Sequence, residues 1–177
     1  MRVVAGTAGG RRLIAPPSGA MRPTSDLVRE AVFNALHSRS AVADAVVLDL
    51  FAGTGALGIE ALSRGAAWAT FVDCSTEWAR LVEANLLACG FTDRAEVVVA
   101  DGPNWLVANR GPWDLVLLDP PYSFDGWPAL LGGPLVGSVT GMVVVESDRE
   151  VDPGPSWNAG STRRHGSTVV TLLTPTD

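Results

Sequence analysis

Val46-Val47-Leu48-Asp49-Leu50-Phe51-Ala52-Gly53-Thr54-Gly55-Ala56-Leu57-Gly58 decides the fold of this 177-residue chain. A short apolar run that ends at an acid reads as a buried strand, and the glycines that follow read as a tight turn opening a helix. Working outward, the same unit recurs. Ala56 to Ser63 is the helix after the turn, Ala69 to Asp73 a second strand, Glu77 to Cys89 a helix, Ala95 to Ala100 a third strand, Asn104 to Asn109 a short helix and Trp113 to Leu118 a fourth strand. Trp127 to Leu131 reads as a helical turn, Met142 to Glu146 as a fifth strand and Ser167 to Leu173 as the strand that closes the sheet, after an undefined stretch from Val151 to His165. Strands alternating with helices predict a parallel sheet covered by helices on both faces.

Two smaller elements precede this body. Arg2 to Ala5 and Arg11 to Ala15 flank the loop Gly6-Thr7-Ala8-Gly9-Gly10, the pattern of a β-hairpin. From Ser25, with Asp26 as an N-terminal acid, Leu27, Val28, Ala31, Val32, Ala35 and Leu36 recur at helical spacing, and Arg29 and Glu30 fall on the less apolar side.

The glycine turn reads as a nucleotide site. Glycine permits φ above zero and close backbone approach, and a helix amino terminus carries free N–H groups. Gly53, Gly55 and Gly58 satisfy G-x-G-x-x-G, and Asp73 ends the next strand 18 residues after Gly55, where a carboxylate can accept both ribose hydroxyls. That pair fits a dinucleotide as well as another adenosine ligand. Asp49 separates them: a carboxylate four residues before Gly53 suits a cofactor with a cationic amino-acid tail and repels a pyrophosphate. S-adenosylmethionine fits best. Asp101 ends the third strand, where an adenine amino group would lie, and Gly102 beside it allows close approach; Asp101 also suits an N-cap.

Asp119-Pro120-Pro121-Tyr122 follows the apolar run Leu115 to Leu118 and contains the only tyrosine of the chain. Two prolines end a strand abruptly, and the carboxyl ends of strands are where open α/β sheets bind ligands. An exocyclic amine on a planar base is a weak nucleophile, because its lone pair is delocalised into the ring. Asp119 and the Pro120 carbonyl can accept its two N–H bonds and hold it pyramidal, while Tyr122 stacks on the base. Pro121 helps to fix the acceptors, so little ordering remains for the reaction.

Composition narrows the class. Hydrophobic content of 47% and charged content of 18% are those of a globular chain, and the length suits one domain. The amino terminus lacks a signal-peptide h-region and no apolar run reaches the roughly 20 residues of a membrane span, so a cytoplasmic location is expected. Cys74 and Cys89 read as reduced, buried thiols, with no metal cluster beside them. Net charge is −6, but the first 25 residues carry four arginines and no acid, leaving −10 on the remainder. All 13 cations are arginines, the side chain suited to bidentate phosphate contact. A basic arm on an acidic body is the expectation. His37 falls near a helix end, where a dipole contact is expected, and His165, beside Arg163 and Arg164, reads as a surface residue.

With these residues in view, the chain resembles the bacterial 16S rRNA guanine-N2 methyltransferases of the RsmD type, within the class I methyltransferases. The resemblance runs through Arg2 to Ala5, Gly10-Arg11-Arg12-Leu13, Arg22-Pro23-Thr24, Arg29-Glu30 with Phe33, the Val47 to Gly55 turn, Asp119 to Tyr122 and Val145-Glu146-Ser147. It implies an α/β fold: a seven-stranded, mostly parallel Rossmann-like sheet in a single domain spanning 1–177, with 1–20 as an RNA-contacting hairpin. It implies that Asp49, Gly53 and Gly55 hold the methionine part of S-adenosylmethionine, Asp73 the ribose and Asp101 the adenine, with Arg22 and Thr24 closing the pocket. Phe51, Ala52, Thr54, Cys74, Gly102 and Asp119 complete that set. Arg2, Arg11, Arg12, Arg163 and Arg164 are the candidate phosphate contacts, and the implied partner is 16S rRNA in an assembling or assembled small subunit, recognised by a monomer with the help of ribosomal proteins. Competing readings are an adenine-N6 methyltransferase of DNA or RNA, a nicotinamide-dependent oxidoreductase and a non-catalytic ribosome assembly factor.

Overall fold

Val46–Leu50 (β1) is buried along almost its whole length, because it lies parallel between Trp68–Asp73 (β2) and Trp113–Leu118 (β4) and is covered on both faces. The coordinates are a computed structural model, and they describe residues 1–15 and 26–176. Ala95–Val99 (β3) extends the sheet beyond β2, and Val139–Ser147 (β5) extends it beyond β4, both in parallel. Thr168–Pro175 (β7) then pairs antiparallel with β5, and Trp157–His165 (β6) pairs antiparallel with β7 at the edge. The order β3-β2-β1-β4-β5-β7-β6 reverses direction between β1 and β4. A crevice opens at such a reversal, at the carboxyl ends of the strands.

Helices cover the two faces unequally. Asp26–His37 (α1), Ala56–Ser63 (α2) and Thr76–Cys89 (α3) pack with Val47, Phe71, Leu115 and Leu117 on one side. Gly102–Ala108 (α4) and Trp127–Leu131 (α5) pack with Leu48, Leu50, Val116 and Leu118 on the other. Side chains alternate across a strand, so neighbours along β1 and β4 fall into opposite layers. All eight residues of α2 are buried, which makes it an internal helix between the sheet, α1 and α3. No helix among the described residues is long and apolar enough to cross a membrane.

The stretch from Val151 to His165, without defined pattern in the sequence, contains the whole of β6. As a result, β7 does not close the sheet; it lies between β5 and β6. The amino-terminal hairpin is reduced to a single antiparallel bridge between Arg2 and Arg12, with a backbone bond from Val3 N to Arg11 O of 2.9 Å. It does not stand away as an arm. The amides of Val4 and Ala5 donate to the two carboxylate oxygens of Glu60 at 2.7 and 3.0 Å, and the Ala8 amide donates to Ser63 Oγ at 3.0 Å, so the segment is fastened along α2.

Arg29 departs furthest from its expected place. It is fully buried on α1, where its guanidinium reaches Asp26 Oδ1 at 2.7 Å and Glu60 Oε2 at 3.6 Å and also donates to the Arg2 carbonyl. Glu60, equally buried, takes a further 2.7 Å bond from Arg64 Nε. Burying charge is costly unless it is paired and hydrogen-bonded. In exchange, Leu27 points to solvent at 77% exposure, and Phe33 and Leu36 supply the apolar anchor of α1. The two thiols also differ: Cys89 is buried as expected, whereas Cys74 is exposed.

Candidate active site

The acid that ends β1 is built into the next helix. Asp49 is 1% exposed, and its Oδ2 accepts the Gly58 amide of α2 at 2.9 Å. Gly55, the N-cap of α2, has no side chain with which to cap, so Asp49 satisfies a first-turn N–H from a distance. Phe51, Gly53 and Gly55 take φ of 72°, 53° and 76° between strand and helix, and the amides of Phe51 and Ala52 both return to the Val72 carbonyl at 3.0 Å. Gly58 carries the packing constraint of the turn: a Cβ there would lie 2.4 Å from the Phe71 ring.

Asp73 at the end of β2 closes the turn from the side. Its Oδ2 accepts the Gly53 amide and its Oδ1 the Ser75 amide, each at 2.9 Å, so the carboxylate is oriented with lone pairs to spare for a ligand. Asp101 is exposed and accepts the Asn104 amide at 3.4 Å as N-cap of α4. Gly102 is buried against Leu50, which a Cβ would approach to 3.0 Å.

A cleft of about 650 Å³ runs over these strand ends. Asp49, Phe51 to Thr54, Asp73, Cys74, Asp101 and Gly102 line one part of it, and Asp119 to Tyr122 line another. Gly55 shapes the turn from behind the wall. Arg22 and Thr24 lie outside the described residues. The glycine turn and the Asp119 loop are locked to each other, because the Phe51 ring packs on Phe124 at 5.2 Å and Phe124 packs edge-on against Trp127 at 5.1 Å.

Four carboxylates lie at or just past the carboxyl ends of four adjacent strands of this sheet, Asp73 on β2, Asp49 on β1, Asp119 directly after β4 and Glu146 on β5, and all four line the cleft. Burial pushes the Asp49 carboxyl up to about 8, the negative charges of Asp119 and Asp73 push the same way, and the Gly58 amide opposes them. Such a group stays protonated at neutral pH until a cation enters beside it. Four acids on one wall suit a ligand that carries positive charge.

Sequence reading omitted several wall residues. Glu146 is one, a buried strand-end acid recognisable by the same signal as Asp49 and Asp119. Trp78, Ser167 and Thr168 are others, and His165, expected at the surface, is half-buried on the wall. None of the five candidate phosphate-binding arginines lines the cleft. Arg2, Arg11, Arg12, Arg163 and Arg164 are all exposed outside it; the Arg11 guanidinium donates to the Ala88 carbonyl, and Arg2 Nε lies 3.8 Å from Asp26. His37 is exposed in the last turn of α1.

Residues 1–174 match the family described as conserved hypothetical protein 95. The chain belongs to the RsmD-type methyltransferase family. It is 39% identical over 122 residues to the ribosomal RNA small subunit methyltransferase D of Escherichia coli strain K12, a match that covers 69% of this chain and 60% of the length of that relative. Identity to YlbH of Bacillus subtilis strain 168 is 38% over 160 residues, covering 86% of this chain and 85% of the relative. The solved structure of yhhF from Escherichia coli superimposes with a TM-score of 0.86 at 31% identity, covering 99% of this chain and 97% of that one. The seven-stranded sheet, in which β7 alone runs antiparallel to the other strands, is therefore the class I methyltransferase fold.

Proposed function

We propose that this protein transfers a methyl group from S-adenosylmethionine to the exocyclic N2 amine of a guanine in 16S rRNA of the small ribosomal subunit. The observation that carries this reading is the placement of Asp119 to Tyr122 in the same cleft as the buried Asp49 and the oriented Asp73. The cofactor supplies an electrophilic methyl carried on a sulfonium. Asp49, in a pocket that favours a cationic partner, suits the amino-acid tail, and Asp73 suits the ribose hydroxyls. Asp101 and Gly102 suit the adenine edge.

On this reading the residues that follow β4 do the chemistry. Asp119 accepts one N–H of the amine and the Pro120 carbonyl accepts the other, which localises the lone pair on nitrogen and turns it toward the cofactor. Tyr122 stacks on the base, which has to leave its helix or loop stack to reach this depth. Positive charge grows on the amine as the bond forms, and Asp119 stabilises it before a proton passes to Asp119 or to water. Arg2, Arg12, Arg163 and Arg164 contact phosphates at the rim, so they position the RNA without reading its sequence. A monomer acting on a subunit particle, with ribosomal proteins contributing to recognition, fits a chain of net charge −6.

Tritiated methyl transfer to small-subunit RNA from cells that lack the protein tests the reading. Counts recovered in N2-methylguanosine after nucleoside digestion are the expected result. Label recovered only in adenine would favour the adenine-N6 alternative, and no transfer to either would overturn the proposal.

A further inference from the structure

Tyr122 is held at both ends. Its phenol oxygen lies 2.9 Å from Thr168 Oγ1 at the start of β7. Its own carbonyl accepts a 3.2 Å bond from Arg149 Nη1, and Arg149 Nη2 donates to the Phe124 carbonyl at 2.9 Å, so one guanidinium spans the turn that follows Pro121. A tyrosine ring has two free torsions, and fixing the backbone and the hydroxyl removes both. His165, Gly166, Ser167 and Thr168 form the β6–β7 turn, which lines the cleft on the β5 side of Asp119.

These contacts explain why the residue is a tyrosine. Stacking needs only the ring face, which phenylalanine would supply equally well. A hydroxyl bonded to Thr168 adds what phenylalanine lacks, a fixed point at the far end of the ring. We propose that Thr168 is a positioning residue that holds the Tyr122 ring in its stacking orientation, and that the β6–β7 turn carrying Thr168 is the second wall of the acceptor pocket, a slot for one flat heteroaromatic base. The proposal rests on the reading of Tyr122 as the stacking surface. A ring already in place loses little freedom when the base arrives, so the effect falls on productive binding of RNA and not on the cofactor.

The test uses Thr168→Val, which keeps shape and removes the hydroxyl, together with Tyr122→Phe and the double variant. A hydrogen bond of ordinary strength implies that each single variant lowers kcat/KM for small-subunit RNA by about threefold to tenfold. Cofactor affinity measured by calorimetry stays within twofold. The double variant falls no further than either single one, because both remove the same bond. Multiplicative losses, or full activity in Thr168→Val, would overturn the proposal.

A second readout does not depend on the acceptor. The chain has one tyrosine, so protein labelled at tyrosine Cζ gives a single carbon resonance. Thr168→Val is expected to move that resonance toward the free-phenol position, and an unmoved resonance would overturn the tether. If the resonance moves while wild-type protein methylates no RNA, the acceptor pocket falls with the functional reading and the tether stands.

Discussion

Asp49 Oδ2 and the Gly58 amide, 2.9 Å apart, join the end of β1 to the first turn of α2 through one buried carboxylate. The bond gives Asp49 a structural role in capping α2 besides its suitability for a cofactor cation. Because burial raises its pKa to about 8 from an ordinary 3.8, the folded protein holds Asp49 protonated over a range in which the unfolded chain has it ionised. The stabilising contribution is full below the unfolded value of 3.8 and is lost as pH rises through about 8. Asp49→Asn keeps the shape and removes the titration. Cofactor-free Asp49→Asn is therefore expected to melt higher than wild type at pH 8 and close to it at pH 4, as read by differential scanning fluorimetry.

The same titration governs ligand entry. A cationic amino group needs the carboxylate form, so cofactor affinity is expected to rise with pH toward about 8 and then level off. Asp49→Asn should weaken binding by roughly tenfold to a hundredfold, the worth of a charge-assisted hydrogen bond. It should also flatten the pH dependence, which separates Asp49 from titration of the ligand itself. Calorimetry between pH 6 and 9 checks both.

Gly58→Ala tests the packing of the turn. The new Cβ would stand 2.4 and 2.7 Å from two carbons of the Phe71 ring, which is completely buried and has nowhere to retreat. Overpacking of this kind costs about 1–3 kcal/mol. Thermal unfolding should show a clear drop in Tm, and combining Gly58→Ala with Phe71→Leu should recover part of it.

How much of this was legible before the fold was known depends on how each residue is buried. β1, β2 and β4 are covered on both faces, so Val46–Leu50, Trp68–Asp73 and Trp113–Leu118 stand out as apolar runs. β6 has one buried residue, Trp157, and a register shift between Ala159 and Ser161; a polar edge strand leaves no period to read. The omission of His165, Ser167 and Thr168 from the candidate site follows directly, since they belong to the turn of a hairpin whose first strand is invisible. Arg29 was illegible for another reason. A charged side chain on an amphipathic helix normally faces water, and what buries this one is Glu60 on a different helix. By contrast, Asp49, Asp73 and Asp119 are legible because a strand end forces each acid to one place.

That hidden pair makes a strong prediction. Glu60 collects the Val4 and Ala5 amides, Arg64 and Arg29 on one carboxylate, with both Arg29 and Glu60 fully buried. Removing Glu60 leaves the buried Arg29 with Asp26 as its remaining acid and strips the Val4 and Ala5 amides of their acceptor, and breaking a buried pair of this kind costs about 3–5 kcal/mol. Glu60→Ala is expected to unfold at markedly lower denaturant concentration than wild type. Glu60→Gln, which keeps the shape and one acceptor oxygen but sets an NH2 against N–H donors, should lose no more than alanine, and a clearly smaller loss would mean that packing and the remaining acceptor carry part of the effect.

Asp119 is predicted to act on turnover and not on cofactor affinity. Removing one preorganised acceptor from charge that develops in the transition state costs about 10²–10³ in rate. Asp119→Ala should therefore show at least that fall in kcat with a cofactor Kd within a few-fold of wild type. Removal of a negative charge from the neighbourhood of Asp49 should also lower the Asp49 pKa, since Asp119 is one of the charges that raise it. The pH at which cofactor affinity levels off is thus expected to move down in this variant. A parallel loss of cofactor binding at every pH would instead make Asp119 part of the scaffold of the cleft.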